Sequence, residues 1–199
     1  MLERGGYIGE IKLNEARGWL TVSDQGQITY FNRYRKQVEL SPEILADLKK
    51  MKLPRASVFD GGYLRNKTHK VCSLYLFDIL ILEGKKVHKP FRERMAFIDK
   101  TIKITKQVWR PLRTEKFIHE FGAMLKGVAP IVKKAAEVYQ IDAELLNGFV
   151  EGFVIKNLDG KHGFPNTCKK SPYFAKIRKM DVLKKDKVWL IPVEGQEEG

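Results

Sequence analysis

The sequence predicts an α+β fold of antiparallel sheets flanked by helices, and three observations carry that prediction. The N-terminal third alternates apolar and polar residues with the period of a strand. The middle, 114–146, is rich in helix formers, and strand-like segments return at 152–156 and 173–178. A chain of 199 residues that is 43% hydrophobic and 11% aromatic buries a sizeable core, which excludes a disordered tail or a low-complexity polymer.

Taken in order, residues 7–13, 19–22 and 28–31 read as strands, with Asp24-Gln25-Gly26 as a turn between the last two. Ser41-Pro42-Glu43 has an N-cap serine followed by proline at the first helical position, opening a helix to about 50. Strands follow over 56–63 and 73–82, the second so continuously apolar that it reads as buried on both faces. Helices are expected over 90–102, 115–125 and 130–139, then strands at 152–156, 173–178 and 187–192. No repeat, linker or change of composition divides the chain, so one domain over 1–193 is expected, ending in an acidic tail at 194–199.

No apolar run approaches the roughly 20 residues of a membrane span, and no membrane partner is expected. Arg4 near the start is not followed by the apolar stretch of a secretory signal. Cys72 and Cys168 lie far apart, which fits a reducing, cytoplasmic setting, and His69, His88, His119 and His162 show no zinc-ligand spacing. The net charge of +13, from 37 Lys and Arg against 24 Asp and Glu, points to a polyanionic partner. Nucleic acid fits, because neutralising its phosphates releases their counterions. Charge alone does not separate DNA from RNA.

Three segments carry residues suited to phosphate chemistry. Lys12 lies near the end of a predicted strand in Glu10-Ile11-Lys12-Leu13-Asn14-Glu15-Ala16-Arg17. A lysine attacks phosphorus only as the free amine, which burial and nearby cations favour. In Glu151-Gly152-Phe153-Val154-Ile155-Lys156, alternation puts Glu151, Phe153 and Ile155 on one face and Val154 and Lys156 on the other. A carboxylate that opens such a strand and a lysine that ends it suit a metal–phosphate site. Lys176 and Arg178 share one face of the 173–178 strand, where two cations call for an anion between them.

In this order, the segments resemble the covalent nucleotidyltransferases: ATP-dependent DNA ligases, RNA ligases and mRNA capping enzymes. Lys12 to Arg17 fits the family's Lys-x-Asp-Gly-x-Arg at its lysine and arginine, and Glu10 stands where ligases often carry glutamate. Arg33 falls at a substrate- or phosphate-contacting position. Val58-Phe59-Asp60-Gly61-Gly62-Tyr63-Leu64 resembles the third motif, and Leu74-Tyr75-Leu76-Phe77-Asp78-Ile79-Leu80 the next. Glu151 to Lys156 and Lys176-Ile177-Arg178 match the fourth and fifth.

The resemblance implies a ligase-type nucleotidyltransferase fold, similar to ATP-grasp, and an ATP-dependent polynucleotide ligase, with DNA favoured over RNA. Lys12 would carry AMP as a phosphoramidate and Lys176 would assist. Glu10 and Phe77 would hold adenine, Arg17 and Arg33 the ribose or phosphate, and Lys156 and Arg178 the phosphates. Glu151, with Asp60, would hold Mg²⁺ or Mn²⁺, while Lys169, Lys170 and Arg110 would follow a nicked duplex or single-strand ends. The alternatives are an RNA ligase, a capping-type guanylyltransferase, or a degenerate module that binds without sealing.

Three departures stand out. Asn14-Glu15 replaces Asp-Gly, and Gly62 replaces the glutamate of Asp-Gly-Glu, leaving Asp60 or Glu15 to supply a carboxylate. Only some twenty residues follow Arg178, too few for an OB-fold domain, so a minimal or divergent ligase, a viral one included, or a separate OB-type partner is expected.

Overall fold

A computed structural model describes residues 6–66, 68–127, 129–161 and 174–183. The expected strand at 187–192, the acidic tail, and Cys168, Lys169, Lys170 and His162 lie outside these residues. The elements are β1 (Tyr7–Leu13), β2 (Ala16–Val22), β3 (Ile28–Asn32), β4 (Gln37–Val38), α1 (Pro42–Lys50), β5 (Ser57–Asn66), β6 (Val71–Leu82), β7 (Lys85–Lys86), α2 (Phe91–Thr101), β8 (Val108–Trp109), β9 (Arg113–Thr114), α3 (Phe117–Leu125), α4 (Pro130–Tyr139), α5 (Ala143–Phe149), β10 (Val150–Asn157), β11 (Phe174–Arg178) and α6 (Lys179–Leu183).

Two sheets organise them. One has strand order β11-β10-β1-β9; the other runs β4-β3-β2-β5-β6-β7, with β8 joined parallel to β6 and every other pairing antiparallel. β1 and β2 are consecutive in the chain yet belong to different sheets. The chain therefore passes from one sheet to the other at Asn14-Glu15, between Lys12 and Arg17.

Each sheet buries one face under helices. Ile11, Leu13, Phe153 and Ile155 of the smaller sheet pack with Phe117, Phe121, Val132, Ala135 and Leu146 from α3, α4 and α5. Trp109 and Tyr139 stack within the same core, their centroids 4.6 Å apart. Leu20, Phe59, Leu74 and Leu76 of the larger sheet pack against Ile44 and Leu48 of α1 and Ile98 of α2. Ile44 and Leu48 lie one helical turn apart, so a single stripe of α1 is apolar. Ser41 Oγ caps this helix by accepting from the Ile44 N–H at 3.4 Å, and Pro42 follows it as expected.

Several element boundaries differ from the sequence expectation for local reasons. Ala56 takes a left-handed φ of 50°, so β5 starts at Ser57. Gln140, at φ 55°, ends α4, and Asp142 then caps α5 by accepting from the Leu145 N–H at 2.8 Å. α4 thus ends where the sequence places it, and what the sequence reading did not separate is the short helix α5 that follows. The two-residue strands β4, β7, β8 and β9 are too short to show a period in sequence and exist because longer neighbours pair with them.

Candidate active site

The face of the smaller sheet opposite the helices carries the charges. Register places Lys12 beside Gly152 and Gly152 beside Arg178; one step along, Glu10 lies beside Val154 and Val154 beside Lys176. Lys156 stands opposite Ile8, and Arg113 of β9 opposite Glu10. Glu10, Lys12, Lys156, Lys176 and Arg178 therefore gather on one surface because side chains two residues apart along a strand share a face.

Glu151 reaches this surface by a different route. Alternation assigns it to the buried side with Phe153 and Ile155. The register slips between Lys12 and Leu13, however, and Gly152 adopts φ +149°. The bulge brings Glu151 Oε2 within 2.6 Å of Lys12 Nζ, which also donates to Leu13 O at 3.2 Å. Arg178 Nε lies 3.7 Å from the same carboxylate oxygen. Burial pushes Lys176 below its usual range, and the neighbouring charges of Lys12, Arg17 and Arg178 push it the same way.

Glu10 is 2% exposed and holds two cations, accepting from Arg113 Nε at 2.7 Å and pairing with Lys156 Nζ at 2.6 Å. Burial opposes the Arg113 charge, but Glu10 and Asp99 outweigh it and the guanidinium is held above its ordinary value. Lys156 Nζ also sits 4.3 Å from the Phe91 centroid and 4.0 Å from Asp78 Oδ2. Asp78 is in turn gripped by buried Arg94, through Nε at 2.9 Å and Nη2 at 3.3 Å. An ion chain, Arg113–Glu10–Lys156–Asp78–Arg94, thus links β9 and the smaller sheet to β6 and α2.

The larger sheet contributes Arg17 and Phe77. Arg17 donates to both oxygens of buried Asp60, at 3.1 and 2.5 Å, and those hydrogen bonds raise its pKa. Phe77 is half-buried and has two cations near its ring, Arg17 Cζ at 6.0 Å and Lys156 Nζ at 5.5 Å from the centroid. Tyr75, two residues away, donates its hydroxyl to Ile11 O at 2.8 Å and ties β6 to β1.

Two expected residues engage elsewhere. The Arg33 N–H donates to Arg17 O at 3.0 Å, but its guanidinium stacks on exposed Tyr34 at 4.8 Å and donates to the tyrosine hydroxyl at 2.6 Å. Arg110 donates to Asp99 at 2.8 Å and to Ile102 O at 3.2 Å, bracing the chain between α2 and β9. Sequence reasoning also passed over Arg113, Asp99 and Arg94. Their ion-pair partners lie 11 to 103 residues away, so no local pattern marks them.

Among the described residues no three His, Cys, Asp or Glu side chains group as a metal cage. Mg²⁺ commonly takes only one or two protein carboxylates and fills its remaining positions with substrate phosphate and water. Glu151, partly exposed beside Lys12, suits such an ion; Asp60, with both oxygens on Arg17, does not.

No protein-family model matches the sequence, and no curated protein is significantly similar to it. Solved structures do match. The structure named Pmar-Lig_PreS3 aligns over 87% of this chain and 42% of its own at TM-score 0.53 and 20% identity. A Lig E DNA ligase aligns over 87% of this chain and 62% of its own at TM-score 0.50 and 11% identity. The ligase domain of M. tuberculosis LigD aligns over 83% and 52%, at TM-score 0.45 and 16% identity. The chain spans between 42% and 62% of the length of these proteins. In architecture the chain shares the fold of the Pmar-Lig_PreS3 structure and of the Lig E DNA ligase.

Proposed function

We propose that the chain is the adenylating part of an ATP-dependent polynucleotide ligase, with DNA favoured as the substrate. The observation that supports this most is the position of Lys12 at the crossing between the sheets, ringed by Glu151, Lys176 and Arg178.

Lys12 acts as the nucleophile once its proton has passed to Glu151 Oε2, 2.6 Å away, and on to solvent. Nζ forms a bond to the α-phosphorus of ATP, the bond to the bridging oxygen breaks, and pyrophosphate leaves. Lys176 and Arg178 offset the charge that develops on the phosphates. Phe77 offers its face to adenine, while Glu10 holds Lys156 beneath that ring. Arg17 serves the ribose or phosphate side, whereas the Arg33 guanidinium is held on exposed Tyr34. Glu151 would hold a divalent cation, Mg²⁺ or Mn²⁺, that arrives with the triphosphate and draws charge from the leaving pyrophosphate. An oxygen of a 5′-phosphate then attacks the lysyl-AMP, the N–P bond breaks and Lys12 is regenerated. Finally a 3′-hydroxyl attacks the activated 5′-phosphate and AMP departs.

The test is intact mass after incubation with Mg²⁺ and either ATP or GTP, beside Lys12→Ala. Addition of one AMP from ATP, absent from the variant, is expected. A GMP adduct would turn the reading to a capping-type enzyme. No adduct from a folded protein would favour the second reading, a nucleic-acid-binding module of the same fold, for which the net charge of +13 and the altered Asn14-Glu15 speak. Nicked DNA and RNA substrates then separate DNA from RNA sealing.

A further inference from the structure

Glu15 and Gly62 fit one another. Gly62 is buried in β5 opposite Arg17, and Glu15 immediately precedes β2. A Cβ built on Gly62 would collide with Cγ of Glu15 and lie 2.7 Å from its Cβ and 2.9 Å from its Cδ. It is the stem of Glu15, not a mobile tip, that occupies the space a side chain at 62 would need. The two positions cannot both carry side chains in this arrangement.

The carboxyl delivered there is poorly satisfied. Glu15 Oε2 is withdrawn from solvent and meets no hydrogen-bond donor among the described residues. Burial pushes the carboxyl above its usual range, Lys12 and Arg17 pull it back, and Glu151 adds to the rise. Nearby Asp60 has both oxygens committed to Arg17. A desolvated carboxyl oxygen calls for a donor. Triphosphate oxygens are acceptors and would be repelled. On the function proposed above, the base lies at Phe77 and the α-phosphate at Lys12. The donors that fall between them are the ribose hydroxyls.

We propose that Glu15, reaching over Gly62, is a specificity-determining residue of the nucleotide site, its Oε2 accepting a hydrogen bond from a ribose hydroxyl. The carboxylate is thus supplied from the β1–β2 crossing, and glycine at 62 is the condition for it.

This inference rests on the adenylation reading, and the experiment separates the two. Wild type, Glu15→Gln, Glu15→Gly, Gly62→Glu and the Glu15→Gly/Gly62→Glu double variant are compared with ATP, 2′-deoxy-ATP and 3′-deoxy-ATP. Adduct formation and calorimetric nucleotide affinity are both read. Wild type is expected to prefer ATP over at least one deoxynucleotide by about tenfold or more. Glu15→Gly, which removes the acceptor, loses that preference, and Glu15→Gln, whose amide oxygen is a weaker uncharged acceptor, narrows it. Gly62→Glu alone binds weakly and melts earlier, and the double variant recovers both stability and preference. Equal handling of all three nucleotides by wild type overturns the proposal, as does a Glu15→Gly variant that discriminates as well as wild type or a double variant no better than Gly62→Glu. If wild type forms no adduct at all, the adenylation reading fails; the calorimetric comparison then decides the Glu15 assignment by the same criteria.

Discussion

Glu151 meets Lys12 only because the strand between them bulges: their 2.6 Å contact joins residues that simple alternation assigns to opposite faces of the sheet. Gly152 makes this possible. Its φ of +149° is open to glycine, and a Cβ there would run into Ile177 O. Gly152→Ala should therefore cost about 1–3 kcal/mol in backbone strain and separate Glu151 from Lys12. The expected result is a lower denaturant midpoint together with loss of the AMP adduct. Normal adduct formation in this variant would show that the bulge does not matter to the site.

Glu10 should prove structural as well as functional. Its removal takes the shared carboxylate from buried Arg113 and Lys156, which keep only Asp99 at 2.6 Å and Asp78 at 4.0 Å, a change expected to cost about 1–3 kcal/mol. Glu10→Ala is expected to lower the unfolding free energy in urea by that amount at unchanged slope. A loss confined to nucleotide affinity, with stability intact, would mean that the ion chain is dispensable.

Glu15 gives stability a pH dependence of known sign. Its carboxyl is raised in the folded state, so between the usual value near 4.5 and the folded value the native protein holds more protons than the unfolded chain. Its contribution to stability therefore falls as pH rises through that window. Glu15→Gln should melt above wild type at pH 7, with the difference vanishing below the ordinary carboxylate range. Thermal melts across pH 3–8 check this, and a constant difference over that range would contradict it.

The β3–β4 turn should contact nucleic acid. Arg33, Tyr34, Arg35 and Lys36 are all exposed there, beside Arg17, and Tyr34 offers a ring for stacking. Removing one cation that neutralises a phosphate should lower the salt slope of binding by about 0.9 on a duplex. Arg33→Ala/Arg35→Ala is expected to weaken binding and flatten the slope, and Tyr34→Ala to weaken binding at an unchanged slope. Fluorescence anisotropy at several salt concentrations measures both.

Much of the fold was legible in the chain because its signals are local. The 3.6-residue stripe of Ile44 and Leu48, the Ser41 cap and the alternation over 7–13 each depend on neighbours a few residues away. The first helix and β1 have the bounds those signals imply. The two-residue strands and the short helix α5 were not legible, since pairing across the sheet decides the first, and a turn at left-handed Gln140 followed by the Asp142 cap decides the second.

The candidate site divides in the same way. Sequence by itself determined which chemical groups are present, namely a lysine near the end of β1, a carboxylate and lysine on β10, two cations on β11 and an aromatic residue on β6, because those are matters of composition and period. Only the tertiary structure decided how they are used. It committed Asp60 to Arg17, tied Lys156 to Glu10, turned Glu151 onto the face of Lys12, and laid Glu15 over Gly62. Each of these depends on two strands meeting at a particular register, and a single bulge or a missing Cβ is enough to change which side chains touch.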